Sequence, residues 1–404
     1  MQQSPKQNLF YFFPVLFCFC LPFNSFLLSV LIAGWFIVSF FNLKREVLKR
    51  GITSLRFWIP QSFFLVTFVS ALLSDNRTEG FTAIEIKASF LVMPYLFFCF
   101  EWPVPILKRF AMAFVSGCFF NCLFLLGRAT VYAASGHPEY FFYTSFSYFI
   151  HASYLAMYLI FAISIIFLFF PLWFKEHKTI RIASFVFVSI FMLCIFLCSS
   201  KLGILSFFIV LPILVFSRFS AQLNFKNLSI GISALLIVLF FTYQVAPGPF
   251  QRLNSIFSVS YSNIDKTSSE STTVRVLIWQ QCAQLIKQNF LFGTGVGDAN
   301  DALYNAYTQN GLTGALEHRL NAHNQFLQSF VGLGLLGMVP LLMLTLGPII
   351  QGIHRRRLLL FIFGFLVVFN FLVESMLQTS AGVLFFCFFY CFLNTTTEKE
   401  LSLE

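Results

Sequence analysis

Residues 149–171 read FIHASYLAMYLIFAISIIFLFFP, a continuous apolar run without any Asp, Glu, Lys or Arg. A helix needs roughly 20 residues to cross the hydrocarbon core of a bilayer, which is about 30 Å thick, so this run predicts a membrane-spanning helix. Its apolar residues are consecutive and do not alternate with polar ones, which excludes a strand of a membrane barrel. The stretch therefore predicts an α-helical membrane protein.

Similar apolar runs recur along the whole chain. The first, residues 8–22, resembles the core of a signal peptide, but it lacks a small-x-small cleavage site and another run follows at once, so we expect a retained helix. The predicted fold class is an all-α integral membrane protein with about 12 transmembrane helices. We place them at residues 8–22, 26–42, 56–74, 83–101, 110–134, 149–171, 183–199, 202–217, 229–246, 326–347, 358–375 and 380–394.

Composition supports this class and argues against others. Of 404 residues, 58% are hydrophobic, only 10% are charged and 60 are Phe, which is more apolar surface than a soluble core could bury. The net charge of +10 is scattered in short clusters between the apolar runs, so we do not expect nucleic-acid binding. Of the 10 cysteines, all but Cys282 lie in apolar runs, and neither a disulfide framework nor a metal site is indicated.

The basic residues also orient the chain. Most of the 26 Lys and Arg lie in segments on the same side as the N-terminus, so the positive-inside rule predicts that this side is cytoplasmic. The predicted organisation has three parts. Residues 1–246 form nine spans, residues 247–325 form a long loop on the outer side, and residues 326–404 form the last three spans and a short cytoplasmic tail.

The long outer loop, residues 247–325, is polar and much longer than the other segments between spans, and loops of this length usually carry function. Within it, the stretch VRVLIWQQCAQLIKQNF at 274–290 has Val274, Leu277 and Ile278 at helical spacing. This pattern predicts an amphipathic helix on or near the membrane face. A second short helix is expected at about 299–309, after the Gly-rich turn GTGVG at 293–297.

Several ionisable residues fall within or beside the predicted spans, where a charged side chain costs roughly 2.5–3.5 kcal/mol. In the predicted topology they all lie towards the outer side: Glu85, Lys87, Arg128, His151, Lys201 and Glu374. Any one of them could simply extend to the interface. Together they favour a polar cavity beneath the loop, and its cations, with Arg275 and Arg319 of the loop, would suit a phosphorylated ligand.

His323 follows the loop and begins the tenth predicted span. A neutral imidazole there could accept a proton from an attacking hydroxyl, although a lone histidine at a helix start is more often a structural hydrogen-bonding residue. Two Gly-rich strings do not predict nucleotide sites. GLGLLG at 332–337 lies within a span, and GTGVG lacks the Lys-Ser/Thr of a P-loop.

A longer pattern includes this histidine. His323 and Asn324 are followed by nine residues, then Gly334, two residues and Gly337. This pattern resembles that of the bacterial O-antigen ligases and the related polymerases, which share a membrane glycosyltransferase fold of the C type. Upstream, Arg275, Trp279 and the turn FGTGVG resemble the family's loop helix.

The resemblance implies a metal-independent, inverting transfer without cofactors. A glycan would leave undecaprenyl pyrophosphate and pass to a sugar hydroxyl of lipid A-core on the periplasmic face of the inner membrane, in lipopolysaccharide biosynthesis. Arg275 would hold the pyrophosphate, and His323 would deprotonate the acceptor. Lys201 follows Ser200 where the family tends to have a Ser-Arg pair, so the cation is kept without the guanidinium fork. The expected pocket also includes Arg319, Asn324, Arg128, Lys87, Glu374 and Trp279.

Alternatives remain open at this point. An O-antigen polymerase would use the same donor and extend another carrier-linked chain, and a protein O-oligosaccharyltransferase belongs to the same class. We favour the ligase because the His-Asn-x9-Gly pattern reads as its form. A secondary transporter or lipid flippase would place charged residues near the bilayer midplane, often in repeated halves, and the sequence has no such internal repeat.

Overall fold

The computed structural model describes residues 5–23, 25–174, 177–219, 266–267 and 272–395. These residues form helices and turns with no β-strand among them, which confirms the all-α class. The α-helices, numbered over the described residues, are α1 Pro5–Cys20, α2 Ser25–Ser39, α3 Arg45–Ile52, α4 Leu55–Leu73, α5 Arg77–Lys87, α6 Ser89–Phe98, α7 Val104–Ala134, α8 Tyr143–Phe146, α9 Ala152–Trp173, α10 Lys178–Leu197, α11 Lys201–Phe219, α12 Thr272–Gln288, α13 Ala299–Asn310, α14 Thr313–Glu317, α15 Gln325–His354, α16 Leu358–Phe371 and α17 Ser380–Thr395.

Among the described residues, six stretches of helix are long and apolar enough to cross a membrane. They are Leu55–Leu73, Arg77–Phe98, Val104–Ala134, Ala152–Trp173, Lys178–Leu197 and Gln325–His354. Five further apolar helices are shorter, at 10–17 residues. The ninth predicted span, residues 229–246, lies outside the described residues, so the count of 12 stays a prediction.

The described residues form two compact units. The first takes its residues from Met1–Phe17, Ser25–Phe110 and Val259–Leu401. In it, α15 packs along α4 and α16, while α17 packs along α6. Aromatic rings fill much of its interior: the Phe388 ring centroid lies 5.1 Å from that of Phe97. Such pairs add to the free energy gained by burying the rings.

The second unit takes its residues from Cys18–Asn24 and Ala111–Ser258. Its central helix is α9, against which both α10 and α11 pack. Every residue of α9 from Ala152 to Ile166 is buried. A helix that is apolar on all sides is expected at the centre of a membrane helix bundle, which agrees with the run that predicted the fold.

Large apolar side chains remain exposed on many of the helices, as on Phe26, Leu73 and Phe185. A soluble protein rarely leaves so many uncovered, because each would contact water. Lipid can cover them. The several apolar helices and this surface together describe a multi-pass membrane protein.

The predicted loop helices are confirmed as helices. The amphipathic stretch forms α12, and the second short helix forms α13, while α14 was not predicted. The apolar face of α12 finds its partners inside the protein: Val274, Ile278 and Cys282 lie in a hydrophobic core shared with Leu303 and Tyr307 of α13. This part of the chain therefore has its own folded core.

Candidate active site

Helix α12 presents Arg275 and Trp279 one turn apart, which places them on the same face of the helix. The Trp279 indole Nε1 donates a hydrogen bond to the Ala322 carbonyl oxygen (2.9 Å). The Arg275 guanidinium Nη1 donates to the Val373 carbonyl oxygen (3.0 Å). One face of α12 thus holds two distant turns of the chain, the one before α15 and the one after α16.

The turn before α15 is strained. His323 has a φ of 44° and Arg319 a φ of 45°, both in the left-handed region that costs a non-glycine residue about 1–2 kcal/mol. Local hydrogen bonds hold the turn. The His323 N–H donates to Asn321 Oδ1 (2.9 Å), and the Ala322 N–H donates to Gln328 Oε1 (2.9 Å). Strain of this kind is often found at functional sites, where the surroundings fix one side chain's direction.

Asn324 caps α15. Its Oδ1 accepts a hydrogen bond from the Leu327 N–H (3.0 Å), which satisfies one of the free N–H groups of the first turn. Its Nδ2 donates to the Leu372 carbonyl oxygen (3.1 Å), just beyond the end of α16. Both polar atoms of the side chain are therefore engaged within the protein, and the predicted contact of Asn324 with substrate stays a prediction.

Helix α16 was predicted to continue to residue 375, and that boundary is wrong. It ends at Phe371, and residues 372–375 form a turn. The carbonyl groups of Leu372 and Val373 accept the side-chain hydrogen bonds of Asn324 and Arg275. These donors satisfy carbonyls that have no partner inside the helix, and the guanidinium also suits the negative end of the helix dipole. The unwound turn allows Glu374 to face α12 and the turn before α15.

Glu374 contacts both of the predicted catalytic residues. Its Oε1 lies 3.6 Å from Arg275 Nη2, and its Oε2 lies 3.6 Å from His323 Nδ1. These separations are those of ion pairs and are longer than direct hydrogen bonds. The exposed fractions of the side chains are 14% for Glu374, 31% for Arg275 and 25% for His323. We call these residues the Arg275–Glu374–His323 cluster.

The arrangement constrains the imidazole. Its Nδ1 faces a carboxylate, and a neutral ring with its proton on Nδ1 carries the basic lone pair on Nε2. A carboxylate in this position fixes both the tautomer and the direction of a histidine that acts as a base. The cluster can therefore combine a proton acceptor with a cation that binds anionic groups.

A break in α15 brings the Gly-rich turn to this part of the molecule. Gly334 has φ 60° and ψ −158°, a conformation that essentially only glycine adopts. The groups freed by the break pair with the turn: the Leu335 N–H donates to the Phe290 carbonyl (2.9 Å), and the Thr294 N–H donates to the Val331 carbonyl (2.7 Å). A Cβ at Gly334 would lie 2.4 Å from the Leu291 carbonyl oxygen, so the contact requires glycine.

The Gly-rich turn is also fastened to the start of α5. Asp298 accepts hydrogen bonds from the N–H groups of Asp75 (3.0 Å) and Asn76 (2.7 Å), while the Ser70 and Ser74 hydroxyls accept from residues 296 and 297. Every backbone N–H from residue 293 to residue 298 donates to a protein acceptor. The turn therefore offers these amides to the protein itself and not to a phosphate.

Lys87 lies elsewhere in the first unit. Its side chain is 1% exposed, and within the part of the chain that the structure describes its Nζ has no hydrogen-bond partner. It lines a cavity of about 260 Å³ between α5, α13 and α15. Asn321 and Gln328 line the same cavity and also hold the backbone of the His323 turn.

The remaining predicted residues are not in the cluster. Arg319 is exposed, and its backbone N–H donates to the Leu316 carbonyl (3.1 Å) while its carbonyl oxygen accepts from the Tyr304 hydroxyl (3.1 Å). Arg128 and Lys201 belong to the second unit. The Arg128 guanidinium carbon lies 4.8 Å from the ring centroid of Tyr148, and Lys201 begins α11. Their predicted convergence with Arg275 on one ligand stays a prediction.

Burial removes two other loop residues from consideration as nucleophiles. Burial raises the pKa of the Cys282 thiol to about 12, so very little thiolate exists near neutral pH. Burial also raises the pKa of Tyr307, whose hydroxyl donates to the Leu320 carbonyl oxygen (3.1 Å). Both side chains contribute to the loop's core.

Some supporting residues were not predicted. Asn321 and Gln328 hold the His323 turn, Gln325 accepts a hydrogen bond from the Leu377 N–H (2.6 Å), and Asp298 fastens the Gly-rich turn. A signal existed for Asn321, because an Asn two residues before a strained position often forms a turn with its own backbone. Asp298 and Gln325 act on residues far away in the sequence, where no local pattern reveals them.

The family model described as O-Antigen ligase matches residues 184–342, a segment that includes Arg275, Trp279, His323, Asn324 and Gly334. No curated protein matches the chain.

Proposed function

We propose that this chain is a member of the O-antigen ligase family, whose model matches residues 184–342, and that it transfers a glycan from undecaprenyl pyrophosphate to a sugar hydroxyl of lipid A-core. Membership implies a membrane glycosyltransferase-type enzyme, a ligase or a polymerase, that uses lipid-linked glycans. The specific donor, the acceptor, the position on the periplasmic face of the inner membrane and the part in lipopolysaccharide biosynthesis belong to the proposal.

The contact of one carboxylate with both Arg275 and His323 carries the proposal. Transfer needs a base beside the nucleophile and a cation beside the leaving group. An arginine and a histidine that merely occurred in the same loop would not meet that need. Both side chains lie 3.6 Å from the carboxylate of Glu374.

In the proposed reaction, the acceptor hydroxyl oxygen attacks the anomeric carbon of the glycan. His323 Nε2 takes the hydroxyl proton as the new glycosidic bond forms. The bond between that carbon and the pyrophosphate oxygen breaks, and the carrier pyrophosphate leaves with the electron pair. Attack opposite the leaving group inverts the anomeric centre, and the step uses no metal ion or nucleotide.

Arg275 would stabilise the negative charge that develops on the leaving pyrophosphate. Its guanidinium has five N–H donors, and Nη1 already donates to Val373, which fixes the direction of the planar group. The other donors can reach phosphate oxygens. Lys201, Arg319 and Arg128 are proposed as further phosphate contacts, and Asn324 and Trp279 as residues that support the pocket.

A polymerase is the main alternative, because it would use the same donor. We favour the ligase because His323, Asn324 and Gly334 follow the spacing of the ligase pattern. A transporter is less well supported. His323 and Glu374 lie in turns at the ends of α15 and α16, and Arg275 lies on α12, whereas transport sites are usually at the middle of broken helices.

The direct test is transfer in vitro with the purified chain, carrier-linked glycan, lipid A-core and a chelator, without nucleotide. We expect product from the wild type. We expect His323→Ala and Arg275→Ala to lower the rate by at least about 10²-fold, the usual effect of removing a general base or a charge-stabilising group. His318→Ala and Lys287→Ala serve as matched controls, because they remove a histidine and an exposed cation of the same loop.

The outcomes separate the alternatives. Undiminished product from His323→Ala or Arg275→Ala would remove the role assigned to that residue. Glycan ladders formed without any lipid A-core would indicate the polymerase. Loss of product in the control variants as well would mean that the loop's fold, and not the cluster, was being tested.

A further inference from the structure

The cavity that Lys87 lines suggests a ligand of its own. Only the part that this ligand plays in the reaction rests on the proposed function. Helix α5 forms one wall. Residues 79, 82, 83, 86 and 87 line the cavity and share one face of this helix. Glu79 and Thr82 are exposed, whereas Lys87 is buried about 12 Å further along the helix axis. The cavity therefore runs from an open mouth to a single buried cation.

An ammonium group without a partner is unusual in such a place. Burying a charge is unfavourable unless an opposite charge or several hydrogen bonds compensate it. Within the described residues Lys87 Nζ has neither, although Arg77–Phe98 is apolar enough to cross a membrane. An ionisable residue of this kind indicates a functional site, and the missing partner should be an anionic group of a ligand.

The other polar side chains of the cavity indicate which hydrogen-bonding groups the rest of that ligand carries. They come from amide and hydroxyl side chains: Thr82, Asn300, Asn321, Gln328, Ser329 and Gln378. Gln328 is committed to the protein through both its polar atoms. Within the described part of the chain, the Nδ2 groups of Asn300 and Asn321 donate to no protein acceptor. Free amide donors near an ammonium suit a ligand with many oxygen atoms and one negative charge.

The volume of the cavity and its position beside the His323 turn limit which ligands it can hold. A cavity of about 260 Å³ lies just under the 300–1,000 Å³ of sites for drug-sized molecules, so it suits one ring and not an oligosaccharide. Apolar side chains of Ala83, Ile86 and Leu333 complete the wall, as the apolar face of a sugar ring requires. Asn321 connects the cavity to the His323 turn, because its Oδ1 accepts the His323 N–H.

We propose that the Lys87 cavity binds a single sugar unit that carries one carboxylate group. The anionic group pairs with Lys87, the hydroxyls accept hydrogen bonds from Asn300 and Asn321, and Glu79 at the mouth accepts from a hydroxyl. The site makes transfer selective for a glycan with an acidic sugar close to the reacting atoms. That sugar belongs either to the acceptor or to the donor glycan.

Binding is tested first, on the full chain in nanodiscs, because this readout does not require turnover. The probes are methyl glucuronide, methyl glucoside, which lacks the carboxylate, and inorganic phosphate. We expect the glucuronide to raise the Tm of the wild type and to bind at least about tenfold more tightly than the glucoside. Lys87→Met and Lys87→Gln should abolish that preference. Lys287→Met, which removes an exposed lysine of α12, should keep it.

The variants also distinguish a binding role from a structural one. Removal of an unpaired buried charge should leave the Tm of the ligand-free protein unchanged or raise it. If Lys87→Met and Lys87→Gln both lower that Tm, Lys87 is part of the core and the proposal is wrong. Equal binding of glucuronide and glucoside by the wild type overturns it as well. Binding of phosphate without binding of glucuronide shows an anion site and not a sugar site, and overturns it too.

Kinetics then assign the sugar to one substrate. Transfer is measured with acceptors and donors that either carry or lack an acidic sugar. A rise of about tenfold in the KM of the acidic acceptor alone in Lys87→Met assigns the cavity to the acceptor, and the same rise for the donor alone assigns it to the donor. If no transfer occurs with any substrate while Lys87-dependent binding persists, the proposed function fails and the cavity proposal stands. If transfer occurs and no KM depends on Lys87, the cavity proposal fails.

Discussion

At the scale of single residues, the main finding is the place of Glu374. Sequence patterns indicated Arg275 and His323 as catalytic residues, and they placed Glu374 in the expected pocket without a catalytic role. In the structure, one carboxylate oxygen of Glu374 lies 3.6 Å from Arg275 Nη2 and the other lies 3.6 Å from His323 Nδ1. A carboxylate between a base and a cation orients both, so Glu374 is a positioning residue in the proposed reaction.

We expect Glu374→Gln to reduce kcat by about 10²-fold, because the amide keeps the shape of the side chain but removes the charge that orients the imidazole. The measurement is single-turnover transfer, in which binding and chemistry are resolved. Glu374→Asp should recover part of the rate, since its carboxylate is shorter but still charged. Glu317→Gln, an exposed carboxylate of α14, is the control. A wild-type rate in Glu374→Gln would contradict the role.

Among the helices, the break in α15 explains why glycine stands at position 334 of the His-Asn-x9-Gly pattern. Residues 325–354 read as one apolar run, and nothing in their periodicity marks an interruption at Gly334. The break exists because the turn at 290–295 supplies hydrogen-bond partners on both sides of it. The turn and the helix thus meet at Gly334, where any side chain would collide with the Leu291 carbonyl.

We expect Gly334→Ala to destabilise the protein by about 1–3 kcal/mol, the usual cost of a non-glycine residue in this backbone region, before the collision with Leu291 is added. Thermal unfolding in detergent is the measurement. Gly127→Ala is the matched control. Gly127 lies in α7 with open space around it, so alanine should be neutral or slightly stabilising there. Equal Tm values for the two variants would contradict the importance of the break.

The elements also show what sequence reasoning can and cannot give. Helices α12 and α13 were predictable, because their own residues carry the helical period or follow a Gly-rich turn. The early end of α16 was not, because Leu372 and Val373 continue its apolar run, and their carbonyls are bonded by Asn324 and Arg275, which are distant in the sequence. Lys87 was expected in a polar cavity, but the residues that line its cavity were not predictable, because the walls come from three helices that are separate in the sequence.

For the molecule as a whole, the length of α15 indicates on which sides of a membrane its two ends would lie. After the break at Gly334, residues 335–354 correspond to about 30 Å of helix, the thickness of a hydrocarbon core. His323 lies just before the first residue of α15, and Arg355 follows its last residue. If α15 crosses the membrane, the candidate active site and Arg355 must therefore lie on opposite sides. The proposed function requires the site to be on the periplasmic side.

Labelling of introduced cysteines tests this arrangement. We expect Lys287→Cys, on α12, to react with a membrane-impermeant maleimide in sealed right-side-out vesicles. We expect Arg355→Cys to react only after detergent opens the vesicles. Both positions are exposed, whereas all 10 native cysteines are buried and free. Burial also raises the pKa of Cys282, the native thiol on α12, to about 12, so it contributes little background near neutral pH.

The unmodified chain is the control for that background, and detergent-opened vesicles show that both introduced thiols can react. Labelling of Arg355→Cys alone in sealed vesicles would place the cluster in the cytoplasm, where lipid A-core on the periplasmic face could not reach it. Equal labelling of both in sealed vesicles would mean that α15 does not cross the bilayer. Either result would remove the periplasmic reaction while leaving the geometry of the Arg275–Glu374–His323 cluster unchanged, because that geometry depends only on contacts within the first unit.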